Sequence, residues 1–290
     1  MVTSEFEYLA PSTVAEASRL LAKYRGEAKL LAGGHSLIPL MKLRLAEPKY
    51  LIDVTGIKGL SGIKDERGGL AIGAATTYAE IESSAVVRRR LPMLAEAASQ
   101  VADLQVRNRG TIGGSLAHAD PAGDLPAVVL ALGAELEAST SRGTRRISVD
   151  RLNVDLLTTS LRATEVLTTV RFPNLKPRTG TSYKKFENKA SHYAVVGVAA
   201  VVTLGADGTC ESARVAVSGA GPKPVRAKRT ERILIGKALS ASVIRRAASR
   251  AGAEIGDAFN DDIHASAAYR AHLTTVMAER AISEAVSRAK

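Results

Sequence analysis

Two glycine-rich segments contain residue types that can hold an anion. They are AGGHSLIPLMK, residues 32–42, and RGTIGGSLAHADPAGDLPA, residues 109–127. Because glycine lacks a Cβ atom and accepts positive φ, successive backbone N–H groups near a glycine pair can converge on a phosphate. Such pairs are also common in ordinary tight turns, so either segment alone fits both interpretations. Two segments about eighty residues apart favour a diphosphate, as in a dinucleotide, held from both sides.

Several other chemical patterns are absent from the sequence. It contains neither the G-x-G-x-x-G fingerprint nor a GxxxxGK[ST] loop, so the usual nicotinamide and nucleoside triphosphate modes have no support. Its five histidines show no HExxH spacing, and no Ser/His/Asp triad or hydrolytic carboxylate pair is evident. The single cysteine, Cys210, excludes an intramolecular disulfide and an iron–sulfur cluster held by this chain. We therefore predict no metal ligands and no catalytic residues.

Composition limits the class of protein. The 290 residues are 46% hydrophobic, which suffices for one large domain or two to three ordinary ones. No apolar run reaches the ~20 residues of a membrane span, and the start lacks a signal-peptide pattern, so we expect a cytoplasmic protein. The net charge of +11 comes from dispersed residues, and aromatics are only 4% without tryptophan. Nucleic acid is therefore not an expected partner, whereas part of the positive charge could meet acidic partner subunits.

The periodicity of the chain predicts an α+β fold. Helices are predicted after Thr13 and Thr77, each with a glutamate three residues later as in a capping box, and over 37–45, 92–101, 125–132, 240–252 and 268–289. Strands are predicted over 28–32, 50–54, 60–64, 70–75, 134–139, 145–149, 167–172, 194–204 and 210–218. Residues 105–110 are predicted to enter the second glycine segment in extended form. The Pro/Lys/Gly-rich stretch 173–180 predicts a domain boundary.

A family resemblance follows from these motifs. Residues 32–54 and 107–127 resemble the FAD-binding medium subunit of molybdenum hydroxylases, which include aerobic carbon monoxide dehydrogenase and xanthine dehydrogenase. SYKKFENKASHYAVVGVAA (182–200) and SAAYRAHLTTVMAERAI (266–282) resemble the entry and the closing helix of that family's C-terminal domain. The resemblance implies a two-lobed FAD-binding domain of the PCMH/vanillyl-alcohol-oxidase type, with lobes at 1–57 and 58–174. A smaller α+β C-terminal domain of antiparallel sheet and helices follows at 175–290.

The resemblance also implies contacts to the FAD diphosphate, chiefly through backbone amides. The first-loop residues are Leu31, Ala32, Gly33, Gly34, His35, Ser36 and Leu37, and the second-loop residues are Thr111, Ile112, Gly113, Gly114 and Ser115. The hydroxyls of Ser36 and Thr111 could donate hydrogen bonds to the ligand or cap the next turn.

Four further positions match family residues near the cofactor. Asp124 would contact the adenosine portion of FAD, although it could instead cap a helix. Leu167 would form an apolar wall near the flavin, and Lys185 a hydrogen-bonding cation there. Tyr193 would bring a phenol to the isoalloxazine ring, although an ordinary strand tyrosine is the alternative.

The function implied is that of an electron-transfer subunit. FAD accepts electrons singly and releases them in pairs, which suits a position between iron–sulfur clusters and a quinone or other acceptor. The expected partners are a molybdopterin-binding large subunit and a small subunit with two two-iron clusters, assembled as a dimer of heterotrimers, with peripheral membrane association possible. A stand-alone FAD oxidoreductase is the alternative, but no acid/base residues for it are evident. A redox-inactive scaffold would be favoured by degraded glycine loops, and both loops are intact.

Overall fold

The first lobe is a small parallel sheet. In the computed structural model, which describes residues 2–289, β1 (Glu7–Leu9) and β2 (Ala28–Leu31) both pair in parallel with β3 (Tyr50–Asp53). Parallel strands need crossover connections, and α1 (Val14–Lys23) and α2 (Leu37–Lys42) are part of them. Thr13 caps α1 by accepting a hydrogen bond from the Glu16 amide at 3.1 Å. The glycine-rich turn between β2 and α2 therefore lies at the carboxyl end of a parallel strand.

The second lobe combines an antiparallel sheet with six helices. The sheet order is β4 (Ile63–Glu66), β5 (Gly69–Gly73), β10 (Val166–Pro173), β6 (Glu135–Thr140) and β7 (Gly143–Ser148). Its helices are α3 (Tyr78–Ser83), α4 (Ala85–Arg90), α5 (Pro92–Ser99), α6 (Leu104–Arg107), α7 (Ile112–His118) and α8 (Asp124–Leu132). A 3₁₀ turn (Val149–Arg151) and the short pair β8 (Asn153–Asp155) and β9 (Thr158–Thr159) precede β10. All nine residues of α8 are buried, so this helix lies inside the molecule.

The C-terminal part is an antiparallel sheet covered by helices on one face. The strands β11 (Thr179–Glu187), β12 (Ala194–Leu204), β13 (Cys210–Ser218) and β14 (Val225–Arg226) follow one another in chain order. The helices are α9 (Lys228–Leu234), α10 (Ala241–Ala248) and α11 (Ala267–Arg288). A Cβ added to Gly180 would lie 1.9 Å from the Ala285 carbonyl oxygen, so α11 and β11 touch backbone to backbone.

Strand β12 is buried on both faces. Val196, Val198 and Ala200 join the core under α9, α10 and α11. Ala199 and Val201 point the other way, into the core that contains α8. Because successive strand residues face opposite sides, a strand between two helical layers is apolar along almost its whole length; only Thr203 departs from this in β12. The run AVVGVAAVVTL is therefore a consequence of its position in the middle of the molecule.

The observed architecture confirms the predicted α+β class with an antiparallel C-terminal sheet. Residues 105–110 were expected to be extended, but α6 forms there because Asp103 Oδ1 accepts a hydrogen bond from the Val106 amide at 2.8 Å. The predicted helix at 37–45 ends at Lys42. The turn between the strands predicted at 60–64 and 70–75 is also shorter than expected, since Asp65 and Glu66 both pair with residues of β5. Within residues 2–289, no helix has both the length and the apolar composition needed to cross a bilayer.

Candidate functional site

The turn after β2 offers a run of unused backbone donors. Within the described chain, none of the backbone N–H groups of residues 32–37 donates to a protein acceptor. Gly34 has φ +77°, a left-handed conformation that glycine adopts without strain. Ser36 precedes α2, but its hydroxyl makes no capping bond. Unpaired N–H groups at successive positions form a concave donor array that suits an anion.

The second glycine pair differs, because it lies inside a helix. Thr111 is the N-cap of α7, and its Oγ1 accepts from the Gly114 amide at 3.0 Å. Gly113 donates to the Ala74 carbonyl at 2.8 Å, and Ser115 donates to that of Thr111. The expectation that both segments offer free amides is therefore corrected for the second, in which residues 112–115 all donate within the protein. The Thr111 hydroxyl takes the capping role that the sequence had left open.

The two segments lie against each other. A Cβ on Gly33 would be 2.0 Å from the Arg109 carbonyl oxygen, and one on Gly113 would be 2.6 Å from that of Ala74. These distances are too short for any side chain, so both glycines are required by backbone packing. A Cβ on Gly114 would meet Thr111 Oγ1 at 2.8 Å and otherwise only the Ala32 methyl, at 4.0 Å. Gly114 thus faces the first loop across a narrow gap.

A buried ionic cluster joins the second lobe to the C-terminal sheet. Asp124, the first residue of α8, accepts from the Tyr183 hydroxyl at 2.6 Å and from Lys185 Nζ at 3.1 Å. Lys185 also donates to the carbonyls of Gln100 (2.6 Å) and His192 (2.8 Å). Burial raises the pKa of Asp124 to about 6, although Lys185 and Tyr183 oppose the shift. Asp124 is not the N-cap of α8, a position that Gly123 occupies.

Tyr193 lies in the loop between β11 and β12, with 44% of its surface exposed. The preceding residue, His192, has φ +57°. Asn188 closes the loop by donating to the Tyr193 carbonyl at 2.9 Å and accepting from the His192 amide at 2.8 Å. Partial burial, with the charges of Asp120 and Asp124, raises the pKa of Tyr193 to about 12. The phenol is therefore protonated at neutral pH and can both stack on a ring and donate a hydrogen bond.

Hydrogen bonds tie the turn before α8 to the strands beside Tyr193. Ala194 donates to the Ala122 carbonyl at 3.3 Å, and Gly219 donates to that of Pro121 at 2.7 Å. Arg270 of α11 donates to the Gly219 carbonyl (2.9 Å) and to that of Val195 (2.7 Å). It also holds Asp262 through two bonds, of 2.7 and 2.8 Å. The surroundings of Tyr193 are thus formed jointly by the second lobe and the C-terminal sheet.

The structure brings some of the predicted site residues together. The first loop meets Gly114, and Asp124 contacts Lys185, whereas Leu167 is a buried residue of β10 beside Ala138. Ile112 is fully buried, and its amide donates to the Thr76 carbonyl at 3.1 Å. Sequence reasoning missed Tyr183, Gln100 and Arg270. Only Tyr183 carried a signal, because it lies two residues from Lys185 and strand residues two apart share a face.

Comparisons with known proteins agree with this arrangement. Residues 4–175 match the family described as the FAD binding domain in molybdopterin dehydrogenase. Residues 181–285 match the CO dehydrogenase flavoprotein C-terminal domain. Over its full length the chain is 39% identical to subunit alpha of the 6-hydroxypseudooxynicotine dehydrogenase complex of Paenarthrobacter nicotinovorans, of which the match covers 97%.

Solved structures show the same fold. The chain superposes with a TM-score of 0.95 and 39% identity on a chain of carbon monoxide dehydrogenase from Hydrogenophaga pseudoflava, in a form that lacks the Mo-pyranopterin moiety; 99% of each chain is covered. With quinoline 2-oxidoreductase from Pseudomonas putida 86 the TM-score is 0.92 at 32% identity, covering 100% of this chain and 99% of that one. These relatives are oxidoreductases, and the resemblance found in the sequence is confirmed. The chain therefore belongs to the family of FAD-binding medium subunits of molybdenum hydroxylases, and its cofactor is FAD.

Proposed function

We propose that this chain is the FAD-carrying electron-transfer subunit of a heterotrimeric molybdenum hydroxylase. In this role it takes electrons from the two-iron clusters of a small subunit and passes them to an external acceptor such as a quinone. The observation that carries the proposal is the free donor array of residues 32–37 facing Gly114, in a chain of this family. A bound flavin supplies the step between one-electron donors and a two-electron acceptor.

The residues of the site fit FAD. The array at 32–37 can hold the diphosphate, because its backbone N–H groups lack other acceptors. Of residues 111–115, only Thr111 has an amide that donates no hydrogen bond within residues 2–289, so this part of the segment contributes mainly the close approach that Gly114 permits. The cofactor contacts that we propose are residues 31–37 and 111–115, with Asp124, Leu167 and Tyr193; Lys185 belongs to the site through its bonds to Asp124 and to the His192 carbonyl.

The half-exposed phenol of Tyr193 is the group that we place at the isoalloxazine ring. Its protonated hydroxyl and its position between the second lobe and the C-terminal sheet suit a side chain that shapes access to the flavin. We divide the chain into lobes at 1–57 and 58–174 and a C-terminal domain at 175–290. The flavin would lie in the cleft between them, as ligands commonly do at domain interfaces.

Partner subunits must supply the remaining redox centres. The only cysteine in the chain, Cys210, is buried, and a two-iron cluster needs about four thiolate ligands. We propose a molybdopterin-binding large subunit and a two-cluster iron–sulfur small subunit, assembled as a dimer of heterotrimers. The known multi-subunit enzymes among the relatives, such as the 6-hydroxypseudooxynicotine dehydrogenase complex, support this organisation.

The test is to purify the chain with the proteins that co-purify with it and to measure the visible spectrum. A flavin spectrum with iron–sulfur absorption is expected. Acid precipitation should release free FAD into the supernatant, since no covalent attachment is expected. Failure of the assembled material to take up added FAD would reject the proposal, and flavin that stays in the precipitate would show covalent attachment.

A further inference from the structure

Lys185 has no N–H left for a ligand. An ammonium group has three donors, and in this structure they go to Asp124 Oδ2, the Gln100 carbonyl and the His192 carbonyl. The Lys185 side chain is only 2% exposed, and that of Asp124 is 5% exposed. A direct hydrogen bond from this cation to a flavin would therefore require breaking one of three buried bonds.

The three acceptors belong to different parts of the molecule. Gln100 is the C-cap of α5, where the helix dipole places partial negative charge that favours a cation. Asp124 begins α8, so both of these groups belong to the second lobe. His192 lies in the loop after β11, the strand that carries Lys185 itself. One buried cation thus connects the second lobe to the loop that presents Tyr193.

The hydrogen bond from Lys185 to the His192 carbonyl holds a residue whose backbone is strained. With φ +57°, His192 is in the left-handed region, which is strained for a non-glycine residue and persists only when its surroundings hold it. Its amide is held by Asn188 and its carbonyl by Lys185. Because Tyr193 is the next residue, the His192 backbone conformation fixes the direction in which Tyr193 leaves the loop.

We propose that Lys185 is a positioning residue that sets the orientation of Tyr193 through the His192 carbonyl, rather than a hydrogen-bond donor to the flavin. Asp124 serves this role by accepting a hydrogen bond from the Lys185 ammonium and so fixing it in place. The inference deepens the proposed function, on which its flavin measurements rest, but the loop contact itself is a property of the protein without cofactor.

The test uses a variant that can fold. Lys185→Met alone would leave Asp124 as a buried, unpaired carboxylate, which is strongly destabilising. The double variant D124N/K185M removes both charges and keeps an acceptor for Tyr183. Tyr183→Phe is the matched control, because it breaks a bond in the same cluster but leaves Lys185 on His192.

The first measurement is hydrogen exchange, by mass spectrometry, of a peptide covering residues 188–193 in the full chain without flavin. D124N/K185M should speed this exchange about ten- to hundredfold, the range that corresponds to losing one hydrogen bond to a charged group, while Tyr183→Phe leaves it unchanged. Unchanged exchange in D124N/K185M, or an equal increase in Tyr183→Phe, overturns the proposal. The exchange is measured without FAD, so its outcome tests the role of Lys185 independently of the proposed function.

The second measurement is flavin fluorescence per bound FAD in the assembled complex. A phenol stacked on the isoalloxazine quenches fluorescence, so both D124N/K185M and Tyr193→Ala should fluoresce more than the wild type. Adding Tyr193→Ala to D124N/K185M should give no further increase, because the two changes remove the same contact. Additive increases would overturn the proposal, as would an altered flavin absorption spectrum in D124N/K185M accompanied by wild-type loop exchange.

Discussion

Gly33 lies directly against the backbone of Arg109, so that a Cβ on Gly33 would be 2.0 Å from the Arg109 carbonyl oxygen. Through this contact the first-lobe turn and the entry to α7 are held at a fixed separation. Neither backbone can move away without opening the gap between the free amides of residues 32–37 and Gly114. The two glycines therefore have different roles. Gly33 allows the two loops to touch, whereas Gly114 leaves space between them.

The first prediction tests the backbone contact of Gly33. Gly33→Ala should lower the free energy of unfolding of the flavin-free chain by about 1–3 kcal/mol, the usual cost of overpacking, and should also weaken FAD binding. Urea denaturation and FAD titration of the assembled protein measure the two effects. Gly56→Ala is a control for stability, because Gly56, like Gly33, has no positive φ but nothing lies within 4 Å of its added Cβ. A Gly33→Ala variant no less stable than this control would show that the backbone contact is unimportant.

The second prediction concerns the position that faces the ligand. Gly114→Leu should abolish FAD binding while most of the fold remains, because a branched side chain would fill the gap towards Ala32. The reason is steric and not conformational, since Gly114 is helical and not among the residues with positive φ. Circular dichroism and FAD titration give the comparison. Normal FAD affinity in this variant would mean that the ligand does not approach Gly114.

The third prediction concerns Tyr193. Tyr193→Ala should change the rate of flavin reoxidation by oxygen or an external acceptor more than it changes FAD affinity, because the diphosphate array supplies most of the binding. Rapid-mixing measurement on the assembled enzyme provides the rate, and Tyr269→Ala is a control at another exposed tyrosine of the C-terminal sheet region. Reoxidation at the wild-type rate would remove Tyr193 from the flavin site.

The fourth prediction is a pH dependence from Asp124. Because burial raises the pKa of this carboxyl to about 6, the folded chain binds the proton more tightly than the unfolded chain. The resulting stabilisation is fully present below the unfolded pKa of about 4 and is lost as the pH rises through about 6. Relative to Asp124→Asn, the free energy of unfolding should fall by about 3 kcal/mol across this range, corresponding to a shift of about two pKa units. Urea denaturation of both proteins between about pH 5 and pH 7.5 covers the upper part of this change. Parallel stability curves would contradict the raised pKa.

Local rules predicted helix starts well. The Thr77 and Glu80 capping box is present in both directions, with bonds of 3.2 and 2.7 Å, because its two partners are three residues apart. The simpler N-cap rule, which asks only for an Asp or Thr before the first turn, would have placed helices after Asp103 and Thr111, where an extended segment and a loop were expected. Both helices are short, with four residues in α6 and seven in α7, and the glycines and polar residues near their caps favoured a non-helical prediction.

The ionic cluster could not be predicted in the same way. Lys185 was recognised from family resemblance, but its acceptors Gln100 and His192 contribute backbone carbonyls, which have no sequence signature. Asp124 is 61 residues from Lys185 in the chain, and only the packing of α8 against β12 and β13 brings them together. Sequence reasoning therefore found the ionisable partners and missed the neutral groups that determine what the cation can do.

The contact between Gly180 and Ala285 also constrains the order of events during synthesis. Strand β11 begins the C-terminal sheet, but the helix that covers it, α11, is synthesised after all four strands. At about 5–20 residues per second, the apolar face of β12 stays without α11 for several seconds after the strands have emerged. During that interval the two lobes can fold first and α8 can shield one side of the sheet, while the opposite side has only α9 and α10 to cover it.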